Sequence, residues 1–222
     1  NVAREKCAQE SVPLTVTARQ KLERLASSLD GQVFRYRGRG PYHLRLLGEY
    51  QLLNALTVID VCSALRSRGW DKLTDAAIDT GLSIAQWPGR LELLRRRPDF
   101  IVDGAHNPQC VDALMDSLAA LYGGKKLIFL TGVLRDKDWQ QMLRRALPLA
   151  KAFVVITPPS ARALDENELA AWLTSQGVQA IPAKDTDDGV RRALALADED
   201  DAICSWGSLY FTGEVRRVLT EP

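Results

Sequence analysis

From Phe100 onward the chain repeats one pattern: a short, mostly apolar run followed by a longer segment with helical spacing. The runs are F-I-V-D (100–103), K-L-I-F-L-T (126–131), A-F-V-V-I-T (152–157), V-Q-A-I-P (178–182) and A-I-C-S (202–205). The segments after His106 and over 137–147, 165–175, 186–197 and 209–219 carry apolar residues every three or four positions. A strand without polar alternation must be covered on both faces, and strands joined by helices run parallel. The fold class is therefore α/β, a mostly parallel sheet with helices on both faces. Right-handed crossovers bring the carboxyl ends of such strands to one edge. Three polar loops are expected to converge there, over 103–108, 131–138 and 205–208.

The first loop, D-G-A-H-N-P (103–108), is the densest in chemistry. A carboxylate (Asp103), an imidazole (His106) and an amide (Asn107) lie between a strand end and a helix N-terminus, whose unpaired N–H groups suit anions. Pro108 fits the first helical position because its missing N–H is not needed there. Spacing alone leaves two readings open: a ligand loop, or a plain turn. In the second, Asp103 and Asn107 are turn and cap residues and His106 is a surface histidine.

Upstream of residue 90 the pattern differs. V-P-L-T-V-T (12–17) is expected as a strand with Pro13 near its start. Residues 18–29 are expected as a helix through Leu22, Leu25 and Leu29 that stops at Asp30-Gly31. Residues 32–37 and 42–47 are expected to pair as a hairpin. Gly48 breaks the strand and a long helix is expected to follow to Arg68, with Leu52, Leu53, Leu56, Ile59 and Leu65 at its period. Gln51 and Asn54 share a face of its first turns, which either meets solvent or reads a polar ligand edge. Asp71 is the expected cap of a helix over 72–84. W-P-G (87–89) is the best linker, since Pro88 biases Trp87 away from helix and Gly89 is flexible. Arg90 opens an expected strand over 90–94. It either swings toward an anionic group or pairs with Glu92 or solvent.

Charge argues against two classes of partner. Lys+Arg number 29 and Asp+Glu 28, for a net charge of +1. The densest basic run, Arg95-Arg96-Arg97, reads as a solvated face, so neither nucleic acid nor a membrane surface is an expected partner. No apolar run is long enough to span a bilayer. Cys7, Cys62, Cys110 and Cys204 contain no C-x-x-C pair, which argues against zinc and for a reducing compartment, with the cytoplasm as the expected location. Cys62 and Cys204 read as buried hydrophobes. G-G-K-K (123–126) is not a phosphate loop: its glycines end a helix and its lysines open a strand, the reverse of what that loop requires.

Six ordered motifs cover most of the chain: L-G-E-Y-Q-L-L-N-A (47–55), W-P-G-R-L-E (87–92), D-G-A-H-N-P (103–108), G-V-L-R-D-K-D (132–138), P-P-S-A-R-A-L (158–164) and G-S-L-Y-F-T-G-E (207–214). In these the chain resembles folylpolyglutamate synthase, including bacterial forms that also act as dihydrofolate synthase, among the ATP-dependent Mur-type ligases. The resemblance implies that the carboxylate of a folate is phosphorylated by ATP and that the amine of L-glutamate attacks the acyl phosphate. It implies two domains: residues 1–87 as the tail of a P-loop ATPase domain, and residues 88–222 as a C-terminal Rossmann-like domain. By position in the motifs, Asn54 resembles the adenine contact, Arg90 the arginine that reaches the phosphates, and Asp103 the acceptor for the ribose hydroxyls. His106 and Ser208 resemble contacts for glutamate or the acyl phosphate. Asp136 and Asp138 either line the site or cap the following helix. The chain opens at Asn1 without Met, and the family's phosphate loop, Mg²⁺ ligands and modified lysine are expected upstream. A fragment of a longer enzyme is therefore expected, inactive alone and otherwise a monomer acting on small molecules. Two other readings remain open, a Mur-type ligase for another acyl substrate and a non-catalytic nucleotide-binding module.

Overall fold

The computed structural model describes residues 2–221. The chain divides into two compact units. One contains the residues up to Arg45 together with Tyr50–Ala85, and the other contains Leu46–Glu49 and the residues from Gln86 onward.

The first unit holds α1 (Val2–Gln9), a three-stranded antiparallel sheet and two further helices. The sheet consists of β1 (Leu22–Ser28), β2 (Gly31–Tyr36) and β3 (Arg39–Leu44). Two expectations fail here. V-P-L-T-V-T joins no sheet: the segment is irregular and Val12, Leu14 and Val16 are exposed. Strand-forming side chains make no strand where no partner supplies a ladder. The expected helix over 18–29 is instead a 3₁₀ turn (Arg19–Lys21) followed by β1. A bulge between Arg24 and Ala26 offsets the alternation of β1, and the strand is exposed from Glu23 onward. The leucine spacing that imitates a helix is thus not tied to a buried face. The first hairpin turns at Leu29-Asp30 and Gly31 opens β2, where a Cβ on this glycine (φ 137°) would lie 2.7 Å from Leu44 O. The second hairpin turns at Arg37-Gly38, where φ is +52° and +74°, as the tight two-residue turn demands.

After the sheet come α2 (Glu49–Arg66) and α3 (Asp75–Ile84). Thr74 caps α3 by accepting from Ala77 N at 3.1 Å, so Asp71 is not the cap. A capping side chain must reach an N–H two or three residues on, and Asp71 lies in the preceding turn. Phe34, Tyr36, Tyr42, Leu56 and Ile59 are almost completely buried. The Tyr36 hydroxyl donates to Asp60 on α2 at 2.8 Å, so the polar end of this buried ring is satisfied.

The second unit carries the α/β architecture expected from the pattern. Its strands are β4 (Glu92–Arg95), β5 (Asp99–Val102), β6 (Leu127–Thr131), β7 (Ala150–Val155), β8 (Ala180–Pro182) and β9 (Ala202–Trp206). They are ordered β4-β5-β9-β6-β7-β8, and all pairs are parallel except β4 with β5. The helices are α4 (Pro108–Tyr122), α5 (Trp139–Ala146), α6 (Glu166–Ser175), α7 (Thr186–Ala195) and α8 (Leu209–Thr220). Phe100, Val102, Ile128, Leu130, Val154 and Ile203 pack with Val190 and Ala193 of α7 and Phe211 and Val215 of α8. The alternate residues Ile101, Phe129, Phe153, Cys204 and Trp206 face the other way and are also fully buried. Phe129 meets Trp206 edge-on, with centroids 6.1 Å apart. Burial on both faces is the reason the strands show no polar alternation. Of the two cysteines read as buried, Cys204 is buried and Cys62 only half-buried.

Among the described residues no helix is long and apolar enough to cross a membrane.

Candidate functional site

The site is built at the carboxyl edge of the six-stranded sheet. β5 ends at Val102, and Asp103 N still donates to Ser205 O of β9 at 2.9 Å, extending the ladder by one residue. The Asp103 carboxylate is 4% exposed. Its Oδ1 accepts from Ala105 N at 2.7 Å and its Oδ2 from Leu91 N at 2.8 Å. One oxygen therefore shapes its own turn, and the other holds the segment that enters β4. Because β4 is antiparallel to β5, that entry lies at the same edge as the exit from β5. Sequence spacing cannot reveal this, and it is what brings Arg90 to Asp103.

The expected strand over 90–94 starts two residues late, at Glu92, because Leu91 has φ +46°. The left-handed region is costly for a branched side chain. Leu91 is held there by its N–H bond to Asp103 and by burial to 1% exposure. Arg90 is thus set outside the ladder, half-buried, with its guanidinium 6.0 Å from the centre of the Trp87 ring. The other side of this arginine is Gly104. A Cβ there would lie 2.9 Å from Arg90 Nη1 and 2.4 Å from Leu209 Cδ2, so any larger residue would displace one or both of these side-chain tips from the loop. Glu92 does not take Arg90: it accepts from Gly89 N at 2.8 Å and from Arg216 Nε at 3.2 Å. Among the described residues Arg90 has no carboxylate partner. Trp87, Pro88, Gly89, Arg90, Leu209 and Thr212 line a groove of ≈ 270 Å³ with Gly213 and Arg216. The segment expected as a linker is therefore also a wall.

His106 is half-buried, and its Nδ1 lies 2.8 Å from Gly104 O. Only an N–H can face a carbonyl, which fixes the proton on Nδ1 and leaves Nε2 as the acceptor of the neutral ring. Asn107 caps α4 by accepting from Cys110 N at 2.9 Å, and Pro108 occupies the first turn. For Asn107 the plain reading holds. Ser208, 2% exposed, caps α8 by accepting from Tyr210 N at 3.2 Å. Gly207 (φ 117°) donates its N–H to Ala105 O at 2.9 Å, tying the β9 loop to the β5 loop. Thr131 Oγ1 donates to Trp206 O at 2.8 Å, tying in β6. The three loops expected to converge do so. Arg90, Asp103, His106 and Ser208 all belong to the second unit. Asn54 belongs to the first, on α2, where its Nδ2 donates to Gln51 Oε1 at 2.9 Å.

Of the two aspartates left open, Asp138 caps α5 by accepting from Gln141 N at 3.3 Å. Asp136 caps nothing and accepts from Arg162 Nη1 at 2.7 Å. Sequence reasoning missed the roles of Trp87, Leu91 and Tyr210. For Trp87, its place three residues before an arginine next to a turn was an available signal. The other two depend on pairings distant in sequence.

The glutamate ligase domain of the Mur ligases matches residues 89–209, more than half of the chain. The chain belongs to the Mur ligase family. This Mur ligase chain is 34% identical over 183 residues to the dihydrofolate synthase/folylpolyglutamate synthase of Mycobacterium tuberculosis, covering 80% of this chain and 36% of that protein. It is 28% identical over 174 residues to the corresponding protein of Bacillus subtilis, covering 78% and 40%. Among solved structures, folylpolyglutamate synthase of Mycobacterium tuberculosis in complex with ADP and AMPPCP superposes with a TM-score of 0.82 at 26% identity, over 100% of this chain and 52% of that one. The Thermotoga maritima folylpolyglutamate synthase gives 0.81 at 26% identity, over 99% and 51%. The Mur ligase chain thus spans about two fifths of these curated relatives and about half of the solved chains.

Proposed function

We propose that the chain is the glutamate-ligase portion of an ATP-dependent ligase that adds L-glutamate to a folate, in the cytoplasm. The observation that carries the nucleotide side of this reading is Arg90, a guanidinium held on Gly104 and against Trp87 with no acid partner among the described residues. A guanidinium kept at a strand edge without a carboxylate suits phosphate, which its planar fork can bind through two bonds. The N-termini of α4 and α8 open onto the same loops and favour an anion there. All four cysteines are free, which fits a reducing compartment.

ATP, with Mg²⁺ as its counter-ion, would give up its terminal phosphoryl group to the folate carboxylate and leave as ADP, and attack of the glutamate amine on the acyl phosphate would give the amide, inorganic phosphate and a proton. The residues present suit an anionic nucleotide. They do not suit the metal: among the described residues no three His, Cys, Asp or Glu come together as a cation site. No metal step is therefore assigned to this chain. Within it, Arg90 binds and neutralises phosphate oxygens. Asp103 fixes Leu91, hence Arg90, and faces the ribose hydroxyls. Asn54 contacts the adenine from α2. His106 Nε2 and the N-terminus of α8 at Ser208 hold the incoming amino acid. Residues 1–87 are proposed as part of the ATPase domain and residues 88–222 as the glutamate-ligase domain.

The test is phosphate release from ATP by the full-length protein. Release should require both a reduced folate and L-glutamate. Release with a muramyl acid and amino acids, but not with folate, would move the reading to another branch of the family. Nucleotide binding without turnover on any acyl acceptor would indicate a non-catalytic module.

A further inference from the structure

The turn that carries Arg90 is pinned to its surroundings by three backbone bonds. Gly104 N donates to Gly89 O at 2.8 Å, Leu91 N to Asp103 Oδ2 at 2.8 Å, and Gly89 N to Glu92 Oε2 at 2.8 Å. Both neighbours of Arg90 have positive φ, +70° at Gly89 and +46° at Leu91. Leu91 is locked by burial as well as by its bond. Gly89 has no side chain to lock, and a glycine backbone ranges over more conformations than any other. The amino side of Arg90 therefore depends on the bonds that Gly89 makes.

One of these comes from Glu92, the first residue of β4, whose carboxylate reaches back along the chain. Its other oxygen, Oε1, accepts from Arg216 Nε of α8 at 3.2 Å. Gly89 also packs on that helix, since a Cβ on it would lie 3.1 Å from Thr212 Cγ2. Arg216, Glu92 and Gly89 thus form a chain of contacts that sets the Arg90 turn from α8, the helix capped by Ser208. The side chains of the pair are 22% exposed for Glu92 and 44% for Arg216, and an ion pair of that exposure contributes little to stability. Its loss leaves the Asp103 brace, the burial of Leu91 and the pairing of β4 with β5 in place. The fold survives while the turn loosens. A phosphate-binding guanidinium, however, works only from the right place, and a displacement of about 1 Å can cost on the order of 10²-fold in rate.

We propose that Glu92 and Arg216 are positioning residues for the ligase reaction. Glu92 holds Gly89, Arg216 orients Glu92, and Arg90 is thereby kept where it meets phosphate. They act through Arg90 rather than on the substrate. The inference rests on the reading of Arg90 as the phosphate-binding group.

The experiment measures phosphate release from ATP with a reduced folate and L-glutamate by the full-length protein. Glu92→Ala, Glu92→Gln and Arg216→Met are each made alone and together with Arg90→Ala. Glu92→Ala should lower kcat about 10- to 30-fold, with KM for L-glutamate within about twofold of wild type. Its melting midpoint should stay within about 4 °C of wild type. Glu92→Gln should recover most of the rate, because its amide oxygen still accepts from Gly89 N. Arg216→Met should lower kcat about fivefold, and this exposed substitution carries the test if Glu92→Ala is insoluble. In the Arg90→Ala background each of the three should change kcat by less than about twofold, since a residue that acts through another loses its effect once that residue is gone. A purely structural role predicts the same fall in both backgrounds. Glu92→Ala, or Arg216→Met in its place, with kcat within about twofold of wild type overturns the positioning role, and so does a fall of equal size without Arg90. Either result leaves the ligase reading intact. A wild-type protein with no glutamate-dependent phosphate release overturns both.

Discussion

Replacing Asp103 with alanine should damage the fold before it damages nucleotide binding. The carboxylate, 4% exposed, accepts the N–H groups of Ala105 at 2.7 Å and Leu91 at 2.8 Å. Alanine leaves both donors unpaired in a site too closed for water to reach without rearrangement. Each unsatisfied buried donor costs about 1–3 kcal/mol, so the pair costs about 2–6 kcal/mol. Leu91 adds to this, because its φ of +46° loses the bond that holds it. A domain of ordinary stability has about 5–15 kcal/mol to lose, and each kcal/mol lowers the melting midpoint by about 2–4 °C at this chain length. A fall of roughly 5–20 °C is expected by scanning calorimetry of the full-length protein, with faster hydrogen exchange at the Leu91 and Ala105 amides. Asp103→Asn keeps one acceptor oxygen and should lose about half as much. A melting midpoint within about 1 °C of wild type in Asp103→Ala, with both amides still protected, would refute the bracing role. Lost ATP binding in such a stable variant would then assign Asp103 to the ligand alone.

Other expectations follow from the same edge. Arg90→Ala in the full-length protein should lower kcat about 10²-fold or more with a small change in melting midpoint, the kcat measured by phosphate release, because among the described residues the arginine has no carboxylate partner to lose, only its contact with the Trp87 ring. Gly207→Ala should prevent soluble expression or cost more than about 3 kcal/mol in chemical denaturation, since its Cβ would lie 2.6 Å from Gly132 O and from Thr131 Oγ1 at φ 117°. Asn107→Ala should cost about 1 kcal/mol by the same measurement through loss of the α4 cap. Burial, followed by the nearby Asp103 charge, pushes the Cys204 thiol well above its ordinary value, so the folded state holds this proton more tightly than the unfolded chain. Its contribution to stability is therefore complete below the unfolded thiol pKa, about 8.5, and falls as pH rises above it. Cys204→Ala should flatten the alkaline limb of a stability–pH profile, while a thiol reagent at pH 8 should label exposed Cys110 and spare Cys204.

The sequence alone determined the α/β class, the strands of the second unit and the helix that begins at Pro108. Each is a local property: an apolar run must be buried on both faces, and a cap and a proline mark their own helix start. It misread residues 12–29, where helical spacing and strand-forming side chains were both present and no buried face chose between them. Pairing with β2 decides residues 22–28, and residues 12–17 stay irregular for want of a strand partner. The motifs named Arg90, Asp103, His106 and Ser208 without showing how they meet. That depends on β4 running antiparallel to β5 and on β9 inserting between β5 and β6, so that the approach to β4 and the exits of β5 and β9 share an edge. The tertiary structure also turned Asp103 from a free carboxylate in a polar loop into the brace beneath Arg90, and separated Asp136 from Asp138, one paired with Arg162 and the other a helix cap. Periodicity reports which face of an element is buried; strand order and the bonds between distant loops decide which side chains become neighbours.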